Sequence, residues 1–257
     1  MRYRVALIGA GGIARHHLDA IRQLGPERLT AVAVAEPDES RGRAVAKEYG
    51  LRWYDDYRKL IIQEQPDIAI IALPHHLHEE IAIAAAGAGK HILLEKPMAP
   101  DAAACRAIGA AAARAGVQLL VGHVMHFALP CLRAKEVLDA GIIGRPLLGS
   151  SRMIKLWMES NRRPWHLGRA SGGGMLMTAG IHALDRLVWL MGGRVTGVSA
   201  MMGTFFHAQE ADDSALIGLR FAGGGLGQVQ SIGYRNGAPG FAMDLVGEEG
   251  TLRIDFD

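Results

Sequence analysis

The stretch Tyr3-Arg4-Val5-Ala6-Leu7-Ile8-Gly9-Ala10-Gly11-Gly12-Ile13-Ala14 decides how the first half of this chain is read. A short apolar run ends on Gly9, and Ile13, His17, Ala20, Ile21 and Leu24 then follow at helical spacing. The glycines fit G-x-G-x-x-G/A in the strand–turn–helix context that makes the pattern informative. Gly9 permits the tight turn, Gly11 lets the backbone approach a pyrophosphate, and Ala14 is small enough for close helix–sheet packing. Gly12 and Ile13 open the helix, where unpaired N–H groups face an anion.

A dinucleotide site of this kind needs an acidic residue at the end of the second strand, about 20 residues further on. Glu36 closes the run Ala31-Val32-Ala33-Val34-Ala35, 22 residues past Ala14. A carboxylate there accepts bonds from ribose hydroxyls and repels a 2′-phosphate, which favours NAD over NADP. Arg41 and Arg43 follow on the next helical segment as an exposed face; folded back towards Glu36, they would admit NADP.

Working outward, apolar runs at residues 3–9, 29–36, 67–73, 91–94 and 117–122 alternate with helical spacing at 13–24, 38–49, 77–88 and 102–115, and a short extra strand is placed near 51–54. Uniformly apolar strands separated by helices predict a parallel sheet covered on both faces. The second half differs. After a helix near 129–140, strand-like runs at 147–157, 195–206, 214–221, 226–234, 241–247 and 251–256 are joined by glycine-rich or polar turns and interrupted by one helix at about 174–191. The expected fold is α/β: an N-terminal Rossmann dinucleotide-binding domain over residues 1–124, and a C-terminal α/β domain over 125–257 with a large open, mainly antiparallel sheet.

Composition narrows the functional classes. The 257 residues are 49% hydrophobic and 21% charged with a formal net charge of +2, which gives no electrostatic footprint for nucleic acid or an anionic membrane. The N-terminus carries no signal-peptide pattern, and no run approaches the roughly 18 apolar residues of a membrane span. Cys105 and Cys131 form no CxxC and no disulfide framework, so both are expected as free thiols in the cytoplasm. His75, His76 and His78 cluster, yet the spacing lacks HExxH and no Cys or Asp partner stands nearby, so no metal is expected.

Further segments carry a resemblance. They are Pro74-His75-His76-Leu77-His78, Glu95-Lys96-Pro97 within the stretch 86–97, Gly122-His123 with Phe127 and Pro130, Gly141-Ile142-Ile143-Gly144-Arg145-Pro146, residues 172–185, and the strand pair 245–252. In this order, with the glycine fingerprint, they make the chain resemble the glucose–fructose oxidoreductase / inositol dehydrogenase / rhizopine-catabolism (Gfo/Idh/MocA) family over nearly its whole length. The resemblance implies a cytoplasmic NAD(P)-dependent dehydrogenase acting on CH–OH groups, with a homodimer or homotetramer built through the second sheet. It also implies that the C-terminal domain is truncated, because relatives continue for some tens of residues beyond the turn near 247–250.

The resemblance assigns site residues as well. Lys96 contacts cofactor and substrate hydroxyl, and a partly buried lysine beside nicotinamide would have a lowered pKa suited to proton transfer; the competing reading is an ion pair with Glu95. His182 is the general acid/base, with an ordinary pKa near 6.5. The cofactor set is Gly9, Gly11, Gly12, Ile13, Ala14, Glu36, Pro74, His75, His78, Glu95 and Lys96. The substrate set is His123, Lys155, Trp165, Thr178 and Asp185, for a small polyhydroxylated ligand that the aromatic and cationic groups Trp157, Arg162, Arg163 and His166 also suit. Two positions depart from the family pattern. Thr178 stands where many relatives carry Asp, leaving Asp185, at i+3 from His182, as the substitute carboxylate. His126 stands where Arg is common.

The expected activity is oxidation or reduction of a secondary hydroxyl or carbonyl of a sugar, cyclitol or related cyclic diol. Two alternatives stay open: a glycosidase using NAD without net redox change, and a non-catalytic NAD-binding sensor.

Overall fold

The computed structural model describes residues 2–158, 160 and 162–256. It divides into two compact units, Met1–Gly122 and His123–Asp257.

The first unit runs β1 (Tyr3–Ile8), α1 (Gly12–Leu24), β2 (Leu29–Ala35), α2 (Glu39–Tyr49), β3 (Arg52–Tyr54), α3 (Tyr57–Glu64), β4 (Ile68–Ile71), α4 (His78–Gly87), β5 (His91–Leu94), α5 (Ala102–Ala115) and β6 (Leu119–Val121). Its six strands are all parallel, in the order β3-β2-β1-β4-β5-β6. This is the doubly wound dinucleotide-binding order, whose crevice opens beyond the carboxyl ends of the strands. Strand alternation explains the apolar runs. Val5 and Leu7 pack with Leu18, Ile21, Val45 and Ala46 on one face, while Ala6 and Ile8 pack with Leu60, Ile61, Ile81 and Ile108 on the other. Both faces are covered, so the buried strand positions are apolar on both sides of the sheet.

One element was not legible. α3 spans eight residues, turns only Leu60, Ile61 and Glu64 inward, and starts from the Asp56 carboxylate accepting the Arg58 N–H. A helix this short carries too few turns for periodicity to register, and it depends on tertiary contacts. Its inward Glu64 is satisfied by Arg4, Arg52 and Tyr54.

The second unit contains α6 (Leu129–Asp139), β7 (Pro146–Leu156), a π-helical turn at Leu176–Gly180, α7 (Ile181–Met191), β8 (Val195–Gly203), β9 (Ser214–Phe221), β10 (Leu226–Tyr234), β11 (Gly240–Gly247) and β12 (Thr251–Asp255). The sheet order is β12-β11-β7-β10-β9-β8. All pairs are antiparallel except β7 with β10. α7 lies on one face, where Ala183, Leu187, Leu190 and Met191 meet Met153, Ile217, Leu219, Val229, Met243 and Leu245. Leu148, Met201, Leu216, Leu226 and Val246 are exposed, and the cross-strand register puts them together on the opposite face.

Two boundaries differ from the sequence expectation. The run 195–206 stops pairing at Gly203, because the N–H groups of Phe205, Phe206 and His207 turn to the buried Asp213 carboxylate at 2.7–3.1 Å. The helix expected over 174–191 opens with a π turn, in which the Ile181 N–H reaches back five residues to the Leu176 carbonyl, and only then becomes α-helical.

Among the described residues no helix is long and apolar enough to cross a membrane.

Leu187 is fully buried against Gly149 and Gly227, which leave room for it. Leu187→Ala is expected to destabilise the second unit by about 2–5 kcal/mol, read as a lower urea midpoint for that unit with an unchanged slope.

Candidate functional site

In the first unit the candidate site is built at the carboxyl ends of β1, β2, β4 and β5. β1 leaves the sheet at Gly9, with φ +103°, and a Cβ there would come within 2.3 Å of the Ala72 carbonyl oxygen. Only glycine meets both conditions, so β1 can turn sharply while lying against the end of β4. At Gly11 and Gly12, by contrast, nothing lies within 4 Å of where a Cβ would point. α1 starts here with no side-chain cap and no acidic residue in its first turn. An uncapped helix N-terminus behind an open glycine turn is a cradle for a pyrophosphate. The backbone at Gly11, Gly12 and Ile13 fits that group, and Ala14 is buried under it.

Glu36 closes β2 and is 5% exposed. Its Oε2 accepts the Ala10 N–H at 3.0 Å, and its Oε1 accepts the Asp38 N–H at 3.1 Å and the Arg41 guanidinium at 2.7 Å. Burial pushes this carboxyl up, but Arg41 and the two backbone donors outweigh it and hold it below the usual carboxylate range. Arg41 therefore does fold back onto Glu36, whereas Arg43 pairs with Glu39 and lies over Trp53.

The loops after β4 and β5 are tied together. His78 is fully buried, with Nδ1 3.0 Å from the Pro97 carbonyl and Nε2 3.0 Å from the Leu73 carbonyl. Burial pushes its pKa down. Each ring nitrogen lies against a backbone carbonyl of one loop and the neutral ring donates its one N–H to one of them, so His78 braces the two loops. His75 is buried edge-on to it, His76 is exposed, and Pro74 opens the short 3₁₀ turn that carries them. Among the described residues no three His, Cys, Asp or Glu side chains gather as a metal-ligand set.

Glu95 and Lys96 follow β5, and the Lys96–Pro97 peptide is cis. Glu95 is buried and paired with His17, whose Nε2 lies 2.8 Å from Oε1, while Oε2 accepts the Lys96 N–H at 3.2 Å. Burial raises the Glu95 carboxyl, and His17 with Lys96 brings it below its ordinary value. Beside the ion pair weighed for Lys96, Glu95 has His17 in hydrogen-bond contact, a partner that sequence reasoning missed.

In the second unit, the π turn and α7 carry Thr178, His182 and Asp185, all half-buried. Gly174, with φ +97°, lies where a Cβ would strike Asp212 Oδ1, and the other Asp212 oxygen accepts the Leu176 N–H at 2.9 Å. Asp212 thereby caps the π turn; burial pushes its pKa up. Asp185 lies against two other imidazoles. Its Oδ2 is 2.9 Å from His126 Nε2 and 3.5 Å from His123 Nδ1, and His126 stacks on Trp189 at 4.3 Å. His126 thus occupies the ion-pair position beside Asp185, although the sequence marked it only as a departure. Lys155 lies on β7, on the α7 side of the sheet with Met153. Trp165 stacks on His166 at 3.7 Å, and the neighbouring Arg162 lies over the buried Trp157.

Residues 3–123 match a family model described as the GFO/IDH/MocA oxidoreductase family with an NAD-binding Rossmann fold, and residues 131–253 match the C-terminal domain of the same family. The chain belongs to the GFO/IDH/MocA family. Among family members, a 1-carboxy-3-chloro-3,4-dihydroxycyclohexa-1,5-diene dehydrogenase of Comamonas testosteroni is 30% identical over 96% of this chain and 62% of its own length. Inositol 2-dehydrogenase 1 of Saccharopolyspora erythraea is 31% identical over 99% of this chain and 74% of its own. This chain therefore spans less than two thirds of the first of these relatives, 62%, and 74% of the second. The WlbA dehydrogenase of Bordetella pertussis, solved with NADH and UDP-GlcNAcA, superposes with a TM-score of 0.93 at 26% identity, over 98% of this chain and 78% of that one. The GFO/IDH/MocA Rossmann unit, with its open glycine cradle, is the NAD-binding part of the chain.

The lowered Glu36 carboxyl sets a sign for acid stability. A carboxylate depressed by folding adds stability above its unfolded pKa, about 4.3, and loses it as pH falls through the folded value. Glu36→Gln is expected to flatten the decline of the thermal midpoint between about pH 5 and 3, followed by scanning calorimetry beside the unchanged chain.

Proposed function

We propose that this chain is an NAD(H)-dependent oxidoreductase that moves a hydride between nicotinamide and a secondary hydroxyl or carbonyl of a sugar, cyclitol or related cyclic diol. The observation that carries the proposal is Lys96, held at the carboxyl end of β5 by Glu95 and by the His78 brace, at the edge of the sheet where open α/β folds bind ligands. The names of the relatives point to the same substrate class: a cyclic dihydroxydiene and an inositol.

Each residue then has a task. The N–H groups of Gly11, Gly12 and Ile13 receive the pyrophosphate. Glu36 discriminates against a 2′-phosphate, with Arg41 softening the discrimination by neutralising part of its charge. The bound nicotinamide supplies the hydride acceptor. Lys96 holds the reacting oxygen as negative charge develops on it. His182 takes or returns the hydroxyl proton, with Thr178 beside it as a hydrogen-bonding group and not as a charge. His123, Lys155, Trp165 and Asp185 belong to the substrate side, in the C-terminal domain of residues 125–257. The bare, partly apolar face of the second sheet pairs two copies of the chain, and the enzyme works in the cytoplasm.

The first test is NAD(H) and NADP(H) binding by calorimetry, followed by absorbance at the NADH band with sugars, inositols and cyclic diols. Net NADH formation on one class supports the dehydrogenase. Product without net NADH would select the redox-neutral glycosidase, and binding with no product would select the sensor. Lys96→Ala is expected to lower kcat by about 10³-fold or more while NADH affinity falls by no more than about tenfold; near-native turnover would overturn the role of Lys96. Glu36→Ala is expected to narrow the preference for NAD over NADP, measured as the ratio of kcat/KM for the two cofactors.

A further inference from the structure

His17 lies on the second turn of α1, the helix that opens at the glycine cradle. Its neighbours look outward: Arg15 makes an exposed pair with Glu48, and His16 is exposed. His17 alone of the three turns to the edge of the sheet, where its Nε2 meets Glu95 Oε1 at 2.8 Å, the two side chains being 17% and 10% exposed. The other Glu95 oxygen accepts the backbone N–H of Lys96. Gly122 lies alongside the carboxylate, where even a Cβ would sit at van der Waals distance from Oε1, 3.4 Å.

A buried carboxylate is costly unless it is paired, and an apolar side chain of similar volume would pack the same space without that cost. The chain places one here, between the helix that holds the pyrophosphate and the residue proposed to touch the nicotinamide end. We infer that His17 is a positioning residue which, acting through Glu95, holds Lys96 in its cofactor-binding orientation. The inference rests on the reading of Lys96 as a cofactor contact. The ring N–H of His17 donates to Glu95, the carboxylate stays ionised, and the ionised carboxylate fixes the Lys96 backbone. The titratable groups facing Glu95 are His17 from α1, Lys96 beside it in the chain and His78 from α4. Gly122 presents only backbone. Removing His17 removes the main opposition to the burial that raises the Glu95 carboxyl, so the carboxylate takes up a proton at higher pH and releases its hold.

The test is NADH binding by fluorescence from pH 5 to 8.5, on the full chain and on His17→Leu, His17→Gln, Lys96→Ala and the double variant His17→Leu/Lys96→Ala. Thermal midpoints are recorded on each sample. His17→Leu is expected to weaken NADH binding about tenfold at pH 7, the scale of a lost charge-assisted bond. The loss should deepen towards pH 5, while the unchanged chain stays flat. His17→Gln, which keeps an N–H donor in reach, is expected to return to within about twofold, and the double variant to bind no worse than Lys96→Ala. If His17→Leu does not fold, His17→Asn, whose amide falls short of Glu95, takes its place. Wild-type affinity in the Leu or Asn variant, equal losses in Leu and Gln, or losses that multiply in the double variant would each overturn the inference. A chain that binds NADH but reduces no substrate would refute the dehydrogenase and leave this test intact.

Discussion

The approach of Gly9 to the carbonyl of Ala72 is the constraint on which the nucleotide-binding half depends. β1 sits between β2 and β4, and all three reach their carboxyl ends within one residue of this contact: the Gly9 N–H bonds the Ala35 carbonyl, and the Ala72 N–H bonds the Ile8 carbonyl. With a side chain at residue 9 the turn could neither adopt its positive φ nor clear β4. The turn brings the start of α1, the carboxylate of Glu36 and the loop after β4 to one edge. Glu36 repays the arrangement by accepting the N–H of Ala10, within the turn itself. A single backbone conformation thereby organises side chains that lie 26 residues apart in sequence.

The first unit also shows how a small domain keeps negative charge out of water. Glu36, Glu64 and Glu95 are all nearly buried, and each has a cationic or imidazole partner: Arg41, Arg4 with Arg52, and His17. Glu64 lies at the end of α3, far along the chain from the glycine turn, and binds two arginines and a tyrosine, which is a structural network. Glu36 and Glu95 differ because each also accepts a backbone N–H from a loop at the carboxyl edge, Ala10 in one case and Lys96 in the other. Their charge is coupled to loop position, so the ionisation state of either one bears on the shape of the site as well as on stability.

The parts that could be read from the sequence are those set by local pattern. Strands buried on both faces announce themselves as apolar runs, the glycine turn and Glu36 announce themselves by spacing from those runs, and the Glu95-Lys96-Pro97 loop was marked by the family resemblance. What stayed hidden is set by tertiary position. His17 and Glu95 are 78 residues apart, and helical spacing groups His17 with Ile21 and Leu24 without pointing to a partner so far along the chain. α3 was hidden because eight residues hold too few turns to show a period, and the end of β8 because a distant Asp213 competes for its backbone donors. The π turn at Leu176–Gly180 was read as plain helix, since apolar and small residues suit both. It matters because Thr178 lies inside the wider turn and His182 just beyond it, so the two are not spaced as in a regular α-helix.

The second unit inverts the electrostatic plan of the first. Where Glu36 and Glu95 each have a dedicated partner, Asp185 is one carboxylate approached by two imidazoles, His126 at 2.9 Å and His123 at 3.5 Å. Helix geometry keeps His182, three residues earlier, on the same side of α7. Helical spacing alone made Asp185 the natural orienter for His182, but its nearer commitment is to His126, which is further fixed by stacking on Trp189. One carboxylate then lies against two imidazoles instead of one. Thr178 is compatible with that arrangement. A second carboxylate at its position would supply His182 with a private counter-charge, and the hydroxyl leaves Asp185 as the carboxylate on which the cluster depends.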